Sequence, residues 1–273
     1  MSDARKGPKA LAFILVVIFL DTLGLGIIIP VMPDLMVELT GQDLGGAARY
    51  TGWLMFVYAA MQFFCAPVIG GLSDRFGRRP VLLVSVCGLV IDYLILGFAH
   101  TVWLLFVGRI LSGIAGASYV TANAYVADVS PPEKRAANFG YVSAAWGVGF
   151  MLGPVIGGLV GEFGARMPFF AAAGMSALTF VYGLFVLPES LTAENRRPFQ
   201  IHRANPVGAL IQIRKFPVVI GLLVSLLFLQ IAHDANPSTW TYYTKLKFDW
   251  SPRDIGISLG VVGIMIILVN AVL

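Results

Sequence analysis

Apolar runs about twenty residues long recur eight times along the chain, near residues 11–31, 53–72, 80–99, 102–126, 139–160, 167–187, 218–242 and 255–273. A helix rises about 1.5 Å per residue, so about twenty apolar residues cross a hydrocarbon core roughly 30 Å thick. Eight such runs predict an all-α membrane protein of eight spans. Composition closes the alternative of a water-soluble globule. Charged residues are 12% and hydrophobic residues 58%, against roughly 25% charged in ordinary soluble domains. The first run is too long for the apolar part of a signal peptide and has no small-residue cleavage site behind it, so it is expected to be a mature helix. Cys65 and Cys87 fall inside runs and read as small buried hydrophobes.

Basic residues orient the spans. With the amino terminus inside, thirteen of them fall on inner segments, among them Arg5, Lys6, Lys9, Arg75, Arg78, Arg79, Lys134 and Arg135. Five fall outside: Arg49, Arg166, Lys245, Lys247 and Arg253. Arg109, inside a span, completes the nineteen. The positive-inside rule therefore predicts a cytoplasmic amino terminus. The net charge of +4 reports this orientation rather than affinity for nucleic acid.

Residues 188–216 form the longest polar, basic and proline-bearing stretch. The expected organisation is a six-helix bundle over 1–187, a cytoplasmic linker over 188–216, and two helices of an incomplete second bundle over 217–273. The last run stops in mid-apolar sequence without a basic anchor. The expectation is a chain that stops within the second of two six-helix halves.

Three constellations carry chemistry. The first is residues 140–158, where Gly140, Gly149, Gly153, Pro154, Gly157 and Gly158 sit in an almost uncharged run. Gly149, Gly153 and Gly157 share one helix face and admit a neighbouring backbone. Pro154 removes the amide that would bond the Phe150 carbonyl, which predicts a kink. A generic small-residue packing face would show the same spacing.

The second is the loop after the second span, with Gly70, Asp74, Arg75, Gly77, Arg78 and Arg79 in order. Gly77 permits a turn closed to other residues and Pro80 suits a first helical turn. Asp74 suits a guanidinium or a helix amino end.

The third is charge within spans, which is costly and tends to face a cavity or another charge. Asp21 lies about ten residues into the first span, and Asp92 about twelve into the third. Arg109 enters the fourth from the outer side, with Gly113, Gly116 and Asn123 on its face. Together they predict a central polar site in which a carboxylate carries a proton. A structural Asp–Arg pair locking the bundle is the alternative. Gln62 with Tyr58, and Gln230, His233 and Asp234, are candidates for the same cavity or for interhelical hydrogen bonds. Trp240, Tyr242 and Tyr243 read as an interfacial belt.

The glycine–proline run matches, at every fixed position, the fifth-helix motif of drug–proton antiporters in the major facilitator superfamily, and the loop matches that family's signature. The segments LDTLGLGIIIPVMP and IDYLIL resemble tetracycline exporters in particular. The resemblance covers nearly the whole chain and is strongest from Leu20 to Gly158. It implies the facilitator fold and proton-coupled efflux of a small amphipathic organic molecule from a bacterial inner membrane. It implies a conformational latch of Asp74, Arg78 and Asp128, and a substrate and proton path through Asp21, Asp92 and Arg109. One departure stands out: tetracycline exporters carry a histidine in the eighth span, and residues 256–273 contain none, the aligned position falling at Ile266 or a neighbour. That argues against tetracycline itself as substrate.

No phosphate loop, metal-ligand cluster or serine–histidine–acid set is visible, so an enzyme, a cofactor, a metal and a nucleic-acid partner are all unexpected. The expected partners are a small-molecule substrate, protons and the bilayer. A metabolite importer on the same fold, a non-transporting fragment and a seven-helix receptor are the rival readings, the last disfavoured by the glycine and loop motifs.

Overall fold

The computed structural model describes residues 6–200, 205, 208 and 217–272. Among the described residues every regular element is helical. Helix α1 (Lys6–Ile27) passes through a 3-10 turn, Ile29–Val31, into α2 (Met32–Thr40). Then follow α3 (Leu44–Phe76), α4 (Arg78–Gly97), α5 (Val102–Gly116), α6 (Tyr119–Val129), α7 (Arg135–Gly161) and α8 (Met167–Val186). Later in the chain come α9 (Pro217–Phe248) and α10 (Pro252–Val272).

Among the described residues, six helical units are long and apolar enough to cross a membrane: Leu11–Thr40, Leu44–Phe76, Arg78–Gly97, Val102–Val129, Pro132–Gly161 and Met167–Val186. Helices α9 and α10 occupy the seventh and eighth expected positions. The described apolar run of α9, Val219–Ala232, is shorter than a span.

Two boundaries differ from the sequence expectation. The first span continues nine residues past Val31 as α2, because Pro30 and Pro33 bend the chain without ending it. It stops at Gly41, whose positive φ of 63° caps the helix. The fourth span is two helices. The chain tightens after Gly116, where the Ser118 amide reaches the Ala115 carbonyl at 3.0 Å.

Helix α1 packs along α7 and α8, α4 along α5 and α8, α3 along α5, and α10 along α7. One apolar cluster gathers Leu23, Ile27, Val31, Leu35, Tyr93, Leu96 and Leu105. A second gathers Phe13, Ile14, Val17, Ile18, Leu82, Val86, Tyr125 and Val126. On α1, Asp21 falls between the two. The outside is apolar too: Phe185 is 84% exposed, Phe163 82% and Trp103 76%. Water would punish such a surface; lipid does not.

Candidate functional site

The glycine run of α7 is a two-sided seat. On one side Gly149, Gly153 and Gly157 meet the backbone of α1. A methyl group at Gly153 would come within 2.7 Å of the Leu23 carbonyl oxygen and the Gly26 Cα. At Gly157 it would run into the Ile27 carbonyl. On the other side Gly158 meets Pro252, and the Pro154 carbonyl lies against Gly256, so α10 rests on the same stretch. The chain stays helical through Pro154. Gly140 differs from the others, having open space where a side chain would be.

The α3–α4 loop is held by carboxylates from three directions. Arg78 Nη1 lies 2.6 Å from Asp74 Oδ1, and its Nε donates to Asp128 Oδ2 at 3.3 Å. Its Nη1 also donates to Ser73 Oγ at 2.5 Å. Gly77 has φ of 106°, a conformation other residues rarely adopt. That turn exposes the first amides of α4. Glu189, just past α8, accepts from the Arg78 amide at 2.8 Å and the Arg79 amide at 3.3 Å. A carboxylate there satisfies orphan donors and meets the positive end of the helix. Ser190 Oγ donates to Asp128 Oδ2 at 3.2 Å, and Arg79 Nη2 to the Leu184 carbonyl at 2.7 Å. These contacts join α3, α4, α6 and the end of α8.

In the middle of the bundle, Asp92 on α4 and Arg109 on α5 form an ion pair, Nη2 to Oδ2 at 3.2 Å, with side chains 0% and 2% exposed. Breaking such a pair by removing one partner costs about 3–5 kcal/mol. The Arg109 guanidinium lies 5.9 Å from the centre of the Tyr58 ring. Tyr58 is in turn a wall of a cavity of about 430 Å³. Asp21, Gln62, Tyr119 and Trp146 also line it, with apolar side chains between them. Gln62 Nε2 donates to the Tyr58 hydroxyl at 3.4 Å. Trp146 stacks on Phe150 with ring centres 5.2 Å apart. Asp21 therefore faces the cavity, while Asp92 and Arg109 lie behind Tyr58. A family model of the Major Facilitator Superfamily matches residues 14–273.

The chain belongs to the Major Facilitator Superfamily. This is a family of membrane transporters rather than enzymes. The chain is 41% identical over 266 residues to the tetracycline resistance protein, class C, of Escherichia coli, covering 97% of itself and 66% of that protein. It is 30% identical over 247 residues to the quinolone resistance protein NorA of Staphylococcus aureus (strain MSSA476), covering 89% of itself and 60% of that protein. It thus spans about two-thirds of the length of the curated relatives it matches. Among solved structures it superposes on the human organic anion transporter MFSD10 (TETRAN) with a TM-score of 0.74 at 20% identity, covering 94% of this chain and 70% of that one. The facilitator is thus a multi-pass membrane protein.

Other sequence candidates are placed as follows. Arg75 lies over the Phe76 ring at 5.0 Å. Gly70 lines a second cavity with Asp74, Arg197 and Phe199, where residues 197–200 lie against α3. Asn123 donates to the Tyr119 carbonyl at 3.0 Å and does not line the central cavity. Gln230 is exposed on α9. The side chains of His233 and Asp234 lie outside the described residues, as does that of Ile266.

Sequence reasoning missed two sets of residues. Glu189 was hidden by its distance from Arg78 along the chain, although an acid directly behind the sixth span in a basic linker was a usable signal. The other set joins elements at the end of the molecule opposite the α3–α4 loop. There Lys245 Nζ lies 2.6 Å from Asp34 Oδ1, and the Thr51 and Tyr242 hydroxyls lie 2.5 Å apart. Arg166 joins Glu38 at 2.9 Å and also donates to the Ala99 carbonyl.

Proposed function

We propose that this facilitator takes part in proton-coupled export of a small amphipathic organic molecule, with Asp21 as the group that exchanges proton for substrate. The observation that carries the reading is the position of Asp21 in the central cavity. Its neighbours there are mostly aromatic and aliphatic, and one of its oxygens is buried without a protein partner among the described residues. A charge so placed is costly unless something neutralises it. A proton does so, and so does a cationic substrate, but not both together. Mutual exclusion at one carboxylate, combined with alternating access of the site to the two sides, gives antiport.

Supporting features lie around it. Tyr58, Tyr119 and Trp146 offer aromatic faces, which attract organic cations. The Asp92–Arg109 pair shares the proton path, and Gln62 orients the Tyr58 hydroxyl. The latch of Gly70, Asp74, Arg75, Gly77, Arg78, Arg79 and Asp128 faces the cytoplasm, in line with the excess of basic residues on that side. The membrane is a bacterial inner membrane. Residues 1–187 act as one bundle, 188–216 as the linker, and 217–273 as two helices of the facing bundle, eight spans in all. The pairing of Asp34 with Lys245 and the seating of Pro252 on Gly158 close the outer side, leaving the cavity to load from within.

The test uses tetracycline and a quinolone as probes, chosen from the resistance relatives. The absent histidine in the eighth span favours the quinolone. Binding to the purified protein is followed by Trp146 fluorescence and by proton release into weak buffer. The expected result is release in step with binding, and binding without release in Asp21→Asn. Binding by the unchanged protein with no proton released contradicts the proposal.

A further inference from the structure

Tyr93 stands apart from both the latch and the cavity wall. It is 1% exposed, and its hydroxyl finds no protein partner among the described residues. Asp21 Oδ1, Asp92 Oδ1 and Arg109 Nε share that lack. A buried polar atom left unmatched is costly, and more so when charged. Native proteins meet such groups with bridging water, which typically makes about three hydrogen bonds to them. Phenylalanine at position 93 would fill the same space without that cost, so the hydroxyl asks for a role.

Two further such atoms, Arg79 Nε at the α3–α4 loop and Thr121 Oγ1 on α6, belong elsewhere; the other four are connected. A methyl group added at Gly24 would come within 2.9 Å of the Tyr93 hydroxyl oxygen. Gly24 follows Asp21 by three residues, so the two share a face of α1. Tyr93 directly follows Asp92, whose Oδ1 would lie 2.7 Å from a methyl group at Gly108. The charged and titratable groups acting on the phenol are Asp92 on its own helix, Arg109 on α5, Asp21 on α1 and Tyr58 on α3. The hydroxyl thus lies against the face of α1 that carries Asp21, and both the cavity carboxylate and the buried ion pair act on it.

We propose that Tyr93 is a proton-relay residue, linking Asp21 at the cavity to the Asp92–Arg109 pair through bridging water. The inference rests on the reading of the protein as proton-coupled. In one passage the phenol oxygen takes a proton handed on from Asp21 as its own proton leaves toward Asp92. One O–H bond forms as another breaks, and the phenol ends neutral. Once protonated, Asp92 no longer balances the charge of Arg109, so arrival of the proton is felt across the α4–α5 contact. Departure by the reverse sequence restores the pair.

Infrared difference spectra of the purified protein between acid and alkaline buffer test this without any substrate, with ring-deuterated tyrosine marking the phenol bands. A tyrosine band that changes with pH, and is lost in both Tyr93→Phe and Asp21→Asn, is the expected result. Gly24→Ala, which keeps the phenol but pushes its oxygen aside, should weaken the same band, so the outcome does not hang on one variant. A Tyr93 band indifferent to pH, or unchanged by Asp21→Asn, overturns the relay. In flux driven by a pH difference, with the quinolone as probe, Tyr93→Phe should be slower by roughly a hundredfold, the lower end of what a positioned proton-transfer group contributes. Substrate exchange at equal pH should be unaffected. Loss of exchange as well would mark Tyr93 as merely structural. Proton release on probe binding, measured separately, judges the underlying reading; the infrared band judges the relay.

Discussion

Replacing Arg109 by methionine strands Asp92 as an unpaired charge in a place that is 0% exposed. The expected loss of stability is about 3–5 kcal/mol, much of it the cost of that stranded carboxylate. Adding Asp92→Asn removes the charge and should restore most of the stability, read by denaturant unfolding in detergent with circular dichroism. A purely structural pair would also regain function in the double variant. A pair on the proton path would not, and probe-linked proton release should stay absent. The glycines of α7 give a second contrast at this scale. Gly157→Ala drives a methyl group into the Ile27 carbonyl and should cost about 1–3 kcal/mol. Gly140→Ala, in open space on the same helix, should be close to neutral by the same measurement. Asp21, Asp92 and Arg109 were legible in the sequence because charge within an apolar run is conspicuous. Tyr93 was not, since a tyrosine in such a run looks like packing until its hydroxyl is seen to lack a partner.

Helix α4 owes its start to another element. Its first amides end on Glu189, beyond the end of α8, so the cap lies more than a hundred residues away and no local pattern reports it. Glu189→Ala should cost about 1 kcal/mol. It should also speed hydrogen exchange at the Arg78 and Arg79 amides while leaving the middle of α4 protected. Unchanged exchange at those amides would mean that water serves as well. Element ends were the part of the fold least visible from sequence. Hydropathy closed the first span near Val31, since Asp34 and Glu38 dilute the apolar signal of α2. In the structure one of these acids pairs with Lys245 and the other with Arg166. The break between α5 and α6 was equally hidden, because a tightened turn leaves hydropathy unchanged. The six spanning units among the described residues were plain in their existence and order, because each presents about twenty apolar residues to lipid.

Across the whole molecule the two ends differ in kind. At the α3–α4 loop the charges join α3, α4, α6 and the stretch after α8 to one another. At the opposite end Lys245 reaches Asp34, Tyr242 reaches Thr51, and α10 sits in the glycine seat of α7. Rocking of two bundles about a central site requires that second set to part. Cysteines at positions 34 and 245, joined by a short bifunctional reagent in a background without Cys65 and Cys87, should therefore stop net flux. Trp146 should still report probe binding from the latch side. Continued flux through the joined protein would show that this seam is no gate. Of this seam only the glycine face of α7 was visible beforehand: the Lys245–Asp34 pair joins residues far apart along the chain, and Tyr242, read as interfacial belt, is instead buried against Thr51.

The central claim is that protons and an organic substrate compete for Asp21. Its most direct test is flux of the quinolone probe through the protein in sealed vesicles under an imposed pH difference. The account predicts that the probe moves against the proton, that reversing the pH difference reverses the movement, and that Asp21→Asn abolishes both. Probe movement indifferent to the pH difference, or in the same direction as the proton, would contradict it.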